Sequence, residues 1–457
     1  MANTGENILL RISRIDELFY CCTWPLPLLW NALSLPKIRS SIATRMRYVG
    51  ALFVVTIVSM ILLSSFCWRI LSRTVCPKIG YKYCEFIHGP APVYRIFFGT
   101  FCFFLLLGIF TINVQSSKSN RAIIHNKFWF TKMLLLASIV IGYLFVPRSY
   151  YTGEVWHFFG LNAAFGYIVL QFILLLDAIH TTNTNVINWI DDIENRDSAR
   201  YWYLLLWLPT ITMYAFSIFI VVNFYKSYSS QSDCVSNLFF ITFHVYMCLS
   251  ATFISIHPVI QAARPKSGML QSSVVCAYSS YTLWMTLTNE PDEVCNPTKD
   301  FLYPADPIQN LQIISTICIT FFILTIFSTR IIEQPQYGKV RKKTGPVVTS
   351  SGTERIENRF EMTYNDEEKG VEYNYSFFAF TLALGSLYIM MSITNWYRPE
   401  EEENFTVKLM AGWGAVWIKL CSGMFCVFLY IWSMVAPVIF PYSYKDLCFY
   451  DSVFMTK

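Results

Sequence analysis

Ten apolar runs constrain this chain more than any other feature. They lie at roughly 48–68, 93–113, 128–146, 154–180, 201–223, 237–257, 268–288, 308–329, 376–397 and 412–440. A helix needs about 20 apolar residues, at about 1.5 Å each, to cross about 30 Å of hydrocarbon. Each run meets or approaches that length. Backbone polar groups in lipid must find partners within their own segment, so the spans are expected to be helices. A β-barrel would need alternating strands of about ten residues, whereas runs such as Ile168–Ile179 are almost continuously apolar. Length alone, at 457 residues, would suggest several soluble domains. Only 14% of the residues are charged, against about 25% in soluble domains. The expected fold class is therefore all-α, a polytopic membrane protein with about ten transmembrane helices.

Leu18–Trp30 is shorter and is interrupted by Pro25 and Pro27, so an interfacial position is expected for it. Cys21 and Cys22 there are candidates for palmitoylation or for burial. Charges are mixed with apolar residues in the first 17 positions, which argues against a cleaved signal peptide. The organisation read from the chain is a cytosolic or interfacial segment 1–45, spans one to eight over 46–329, and a flexible cytosolic loop 330–375. Spans nine and ten follow over 376–440, then a cytosolic tail 441–457. Span four, Glu154–His180, has 27 residues, about 40 Å of helix, and should tilt or project beyond the bilayer.

The net charge of +5 matters less than where the charges sit. Ten spans put both termini on one side. Lys and Arg number 23 on that side and 9 on the other, with Arg95, Lys132 and Lys419 inside spans. The bias places both termini in the cytosol. The sequon Asn404-Phe405-Thr406 falls in the last non-cytosolic loop, where it is an N-glycosylation candidate. Asn374-Tyr375-Ser376 falls on the cytosolic side and should stay unmodified. Cys76, Cys84, Cys234 and Cys295 lie in loops on the non-cytosolic side, and can form two disulfides in any of three connectivities.

Soluble-enzyme motifs are missing from the sequence: there is no phosphate-binding GxxxxGK[ST], no HExxH and no GxSxG. Six scattered histidines offer no zinc cluster. No cofactor, metal, nucleic acid or enzyme activity is expected. Ionisable groups within apolar sequence are costly and point to function. Asp177 and His180, three residues apart, share a face of span four. Lys132 lies near the start of span three, after His125 and Asn126, and Lys419 lies near the start of span ten. A lysine near a span end can instead reach the interface with its long stem, an escape closed to the short side chain of Asp177. His244 in span six reads as a hydrogen-bonded packing residue. Gly160, Ala163, Ala164 and Gly166 on span four read as packing positions that allow close helix approach.

Several words along the chain resemble those of the serine incorporator family. Arg121–Phe130, RAIIHNKFWF, resembles its IHNGFWF block, and Gln171–His180, QFILLLDAIH, its LVLLVDFAH run. Ser255-Ile256-His257-Pro258 with Ser267–Ser273 is similar to SIHP and SGLLQSS, and Thr288–Pro291 with Cys295-Asn296-Pro297 to SNEP and CNP. Glu368–Val371, Ser386–Met391, Asn395-Trp396-Tyr397, Ala415–Lys419 and Val435-Ala436-Pro437 continue the match in order. The resemblance implies ten helices in two subdomains, braced by long crossed fourth and eighth helices. It implies residence in endoplasmic reticulum, Golgi or plasma membrane of a eukaryote, and promotion of serine incorporation into phosphatidylserine and sphingolipids. Some members scramble phospholipids without an energy source, some restrict retroviral infectivity, and some form homo-oligomers. This sequence departs in Lys127, where the block has glycine, and in Thr181-Thr182-Asn183, where the family has SWN.

Two functions are expected from this reading. The first is non-energised lipid scrambling, with phospholipids, phosphatidylserine above all, as the partners. Its polar headgroup path would be built from Asp177, His180, Lys132, Lys419, His125 and Asn126. The second is a serine carrier, or a scaffold that works with lipid-synthesis enzymes. The sequence shows no paired, Gly- or Pro-interrupted spans of the kind carriers use, so it ranks below the first.

Overall fold

A computed structural model describes residues 40–79, 89–114, 116, 119–144, 153–191, 196–229, 234–263, 268–292, 294–297, 307–330, 371, 373–396 and 413–440. These residues form helices and connections, with no strand among them. In chain order the helices are α1 Ser40–Leu63, α2 Ser65–Thr74, α3 Cys76–Ile79, α4 Pro90–Phe110, α5 Asn120–Asn126, α6 Trp129–Leu144 and α7 Gly153–Asp191. Then come α8 Arg196–Tyr228, α9 Val235–Ile256, α10 Pro258–Ala263, α11 Met269–Leu287, α12 Pro307–Arg330, α13 Tyr375–Ile393 and α14 Trp413–Ile439.

Every expected span contains a helix, and eight of these helices are long and apolar enough to cross a bilayer. The third span instead arrives as a bent pair, α5 and α6, with 78° between their axes. The seventh, α11, is too polar to qualify by hydropathy. Its burial explains how it is tolerated: fourteen of its nineteen residues are buried, packed against α8, α9 and α14. Several of its hydroxyls are satisfied within the helix. Ser273 Oγ donates to Leu270 O at 2.8 Å, Thr282 Oγ1 to Ser279 O at 2.9 Å and Thr286 Oγ1 to Thr282 O at 2.9 Å. A polar helix shielded by its neighbours and bonded to itself costs little in a membrane.

Boundaries move where a side chain caps. The first span was expected at 48–68, but α1 begins at Ser40 and stops at Leu63. Ser64 adopts an extended backbone (ψ 142°) and its side chain accepts from Cys67 N, starting a separate helix. Span nine ends at Ile393 because Asn395 and Trp396 both take positive φ (49° and 59°). Span four is α7, 39 residues or about 58 Å, and so has the excess length expected of it.

The described chain divides into two compact units, one of residues 1–146 with 324–386 and the other of 147–323 with 387–457. In the first, α4 packs on α1 and on α6. Gly99 of α4 permits this: a Cβ there would stand 3.1 Å from the backbone of Val140. In the second, α11 lies at the centre, and Gly423 of α14 approaches it so closely that a Cβ would meet Thr282 Oγ1 at 2.6 Å. Both are small-residue contacts of the kind that hold membrane helices together. Leu18–Trp30, Cys21, Cys22, Cys84, Asn404 and nearly all of the 330–375 loop lie outside the described residues.

Candidate functional site

In the first unit the polar chemistry gathers at the bend between α5 and α6. Ser119 opens α5, its side chain accepting from Ala122 N at 3.2 Å. The helix ends at Lys127, and Phe128 (φ 61°) turns the chain into α6. Such a bend orphans the last carbonyls of α5, which in lipid must find donors. They do. Lys132 Nζ, one turn into α6, donates to His125 O at 2.7 Å, and Tyr48 OH donates to the same oxygen at 2.9 Å. Trp129 Nε1 donates to Asn126 O at 3.1 Å.

The ammonium of Lys132 also donates to Tyr48 OH at 2.9 Å and lies 3.7 Å from the centre of the Trp129 ring. Lys132 is buried, so it does not use its stem to reach the interface. His125 is wholly buried, with Nε2 2.9 Å from Tyr373 OH and its ring stacked on Tyr375 at 4.2 Å. Asn126 Nδ2 donates to Tyr375 OH at 3.1 Å, and the Arg45 guanidinium sits 4.5 Å over the Tyr373 ring. The structure thus brings Lys132, His125 and Asn126 into one aromatic-walled cluster. Sequence reasoning missed Arg45, Tyr48, Tyr373 and Tyr375 there. Its only available signal was an aromatic pair flanking the Asn374 helix start.

The departure at Lys127 is local. Its backbone is extended (φ −112°) and its side chain is exposed, so no glycine is required there. At the other departure Thr182 Oγ1 donates to Ala178 O at 2.8 Å, and Asn183 is buried.

In the second unit Lys419 repeats the first lysine's role. Its Nζ donates to Met285 O, in the last turn of α11, at 3.3 Å and lies 4.6 Å over the Trp396 ring. Asn289 Nδ2 donates to the same carbonyl at 2.6 Å. Cations at helix C-termini interact favourably with the exposed carbonyls. His244 is a buried packing residue, its Nε2 3.1 Å from Ser280 Oγ. It lines with Lys419, Thr282 and Gly423 a crevice too narrow to admit a water molecule.

Asp177 and His180 lie on α7, in the second unit. Asp177 is exposed although it falls inside the apolar span His157–Asn188. One helical face continues from it through His180, Thr181, Thr184, Asn185 and Asn188. Asn185 and Asn188 are exposed and the other three half-buried, with His180 Nδ1 3.3 Å from Thr184 Oγ1. The result is a polar stripe about 17 Å long on the outside of a membrane helix. The sequence reading took its first two members. Continuing the same period would have found the rest.

A third polar centre, also missed, is covalent at its edge. Cys234 pairs with Cys295, which selects among the connectivities left open, and Cys76 is also disulfide-bonded. Beside the Cys234–Cys295 pair, buried Asn237 donates through Nδ2 to the Glu290 carboxylate and to Cys295 O at 3.2 Å. Asn296 Nδ2 donates to Glu290 O at 2.9 Å. Among the described residues no group of histidines, cysteines and carboxylates is arranged to hold a metal.

Long apolar helices, cation-capped helix ends and a polar face on a spanning helix define a multi-pass integral membrane protein. A family model described as Serine incorporator (Serinc) matches residues 20–443. A "Probable serine incorporator" of Nematostella vectensis is 34% identical over 427 residues, covering 89% of this chain and 92% of that protein. "Serine incorporator 3" of Bos taurus is 32% identical over 446 residues (88% and 92%), and "Serine incorporator 2" of Mus musculus 32% over 426 (89% and 92%). The chain belongs to the serine incorporator family.

Proposed function

We propose that this protein moves phospholipids between leaflets without an energy source, and that phosphatidylserine is among its cargoes. The observation that carries the reading is the polar stripe from Asp177 to Asn188, which begins with an exposed carboxylate inside the apolar span His157–Asn188. A charge within a span costs energy unless water, a polar headgroup or a polar protein group reaches it. A stripe of carboxylate, imidazole, hydroxyl and amide groups gives a headgroup successive hydrogen-bond partners while its acyl chains stay in lipid. No phosphate-binding loop is needed, because scrambling runs down an existing gradient. In this reading Lys419, with its ammonium bonded to Met285 O, ties α14 to α11, and α7 packs on both, while Lys132, bonded to His125 O, braces the first unit. His125 and Asn126 serve with Lys132.

The test uses purified protein in liposomes with fluorescent phosphatidylserine and a membrane-impermeant quencher. Asp177→Leu should slow lipid movement about tenfold, a barrier change of about 1.4 kcal/mol. Asp177→Asn, which keeps the stripe polar, should retain most of the rate. Parent-like rates in both Asp177→Leu and Asn188→Leu would remove the stripe from the mechanism. The second reading, a serine carrier or scaffold for serine-lipid synthesis, draws on the family's name and on the hydroxyl-rich α11. It is less well supported because the hydroxyls of α11 already have partners, on their own helix backbone or on neighbouring helices. Saturable serine uptake without lipid movement would favour it.

A further inference from the structure

We propose that Cys248 and Cys276 are a peroxide-reducing thiol pair within the membrane, which closes into a disulfide between α9 and α11 when a hydroperoxide reaches it. His244, Cys248 and Thr252 recur at intervals of four on one face of α9. They meet a matching line on α11. His244 Nε2 stands 3.1 Å from Ser280 Oγ, Cys248 Sγ 3.5 Å from Ser279 Oγ, and Thr252 Oγ1 3.9 Å from Cys276 Sγ. Hydroxyl groups alone would suffice to hold two membrane helices together. Thiols beside an imidazole add a reactivity that packing does not need. Cys248 Sγ lies 3.5 Å from His244 Nε2, Cys276 Sγ donates to Cys248 O at 3.8 Å, and the two thiols interact with each other. Among the described free cysteines, Cys248 alone has an imidazole in hydrogen-bond range.

A thiol attacks well only once its proton has a destination, and a neighbouring imidazole supplies one. Ser280, at the same His244 nitrogen, steadies the ring. The Cys248 proton passes to His244 Nε2, and the Cys248 sulfur attacks one oxygen of the hydroperoxide. The S–O bond forms as the O–O bond breaks, and the imidazolium returns the proton to the departing oxygen, which leaves as water or an alcohol. The Cys276 sulfur then attacks the Cys248 sulfenic sulfur. The S–S bond forms, the S–O bond breaks, and the departing hydroxide takes the Cys276 proton and leaves as water. The two thiols lose two electrons and the hydroperoxide gains them. Position selects the oxidant. Cys248 lies inside the apolar span Val235–Ile256 and is half-buried, while Tyr246, Leu249 and Phe253 around it are exposed. A charged oxidant is kept from that depth, whereas hydrogen peroxide and the hydroperoxide of a lipid chain are neutral. The inference does not depend on scrambling.

The experiment exposes the full-length protein in phosphatidylcholine nanodiscs to hydrogen peroxide in one arm and to a phosphatidylcholine hydroperoxide in the other. Remaining thiols are alkylated after denaturation, and unreduced digests are read by mass spectrometry. A linked Cys248–Cys276 peptide pair is expected, formed about tenfold faster than the exposed Cys318 and Cys421 are oxidised. Cys276→Ser should leave a sulfenic acid at Cys248 that dimedone captures, and Cys248→Ser should leave Cys276 open to alkylation. His244→Gln keeps a hydrogen-bonding side chain without a base, and should slow linkage about a hundredfold. Copper phenanthroline should still link the two thiols in that variant, which separates a lost base from a lost fold. The faster arm tells whether the oxidant arrives from water or from the lipid. Two results would each overturn the proposal: no linked pair in either arm while Cys318 or Cys421 is oxidised, or linkage in His244→Gln at the parent rate.

Discussion

A buried ammonium survives in a membrane helix only where oxygen and aromatic faces surround it, and both in-span lysines meet that condition at a helix C-terminus. Lys132 donates to His125 O and Tyr48 OH against the Trp129 ring. Replacing it with Met keeps the volume and removes the charge-assisted bonds and the cation–π contact. We expect Lys132→Met to lower stability by about 1–3 kcal/mol, read as a fall in melting temperature in detergent. Lys127→Gly should stay within about 1 kcal/mol of the parent, since the residue is extended and exposed. Equal losses in the two variants would mean that the bend needs bulk at Lys127 rather than a cap from Lys132. The sequence made the lysine conspicuous but not its partners. Tyr48 lies 84 residues before it, and nothing local signals that a tyrosine hydroxyl and an orphaned carbonyl will meet there. Asp177 and His180 were legible as a pair because both lie on one face of one helix, where spacing alone decides.

Elements were legible in proportion to how much their own sequence determines them. Apolar length announced α1, α4, α7–α9 and α12–α14, whereas the 78° bend before α6 has no Gly or Pro to announce it: Lys127 and Phe128 occupy the break. Likewise, α11 looks marginal as a span until its packing is seen. Small residues show the same division. Gly166 on α7, which the sequence reading set among close-packing positions, has nothing within 4 Å of a Cβ, whereas a Cβ at Gly423 would strike Thr282 Oγ1. Gly166→Ala should therefore be neutral or raise stability by up to about 1 kcal/mol through helix propensity. Gly423→Val should cost about 1–3 kcal/mol by forcing α14 off α11. Paired thermal unfolding curves check both, and an indifferent Gly423→Val would show that the two helices separate without penalty.

At the scale of the whole molecule, the charge bias leads us to expect both termini in the cytosol, and the bonded cysteines bear on that expectation. Cys76, Cys234 and Cys295 are disulfide-bonded, and all follow spans on the side with fewer Lys and Arg. The free cysteines among the described residues, such as Cys102, Cys248 and Cys426, lie within helices. Oxidation belongs on the side away from the cytosol, so the pairing and the 23-to-9 charge bias point to one orientation. That orientation would expose Asn404 to the glycosylation machinery and withhold Asn374. Local structure adds a second barrier at Asn374: its Oδ1 accepts from Phe377 N at 3.1 Å, and Ser376 is buried with Oγ donating to Gly108 O at 2.8 Å. Expressed in mammalian cells, the parent should carry one glycan that an endoglycosidase removes, Asn404→Gln should carry none, and Asn374→Gln should match the parent. Protease protection of tags at both ends in sealed cells should agree, with cleavage only after permeabilisation. A glycan lost in Asn374→Gln instead would invert the molecule, because that sequon can be modified only if the 330–375 loop faces the lumen. The disulfide-bonded loops would then face the reducing cytosol, where such bonds do not persist.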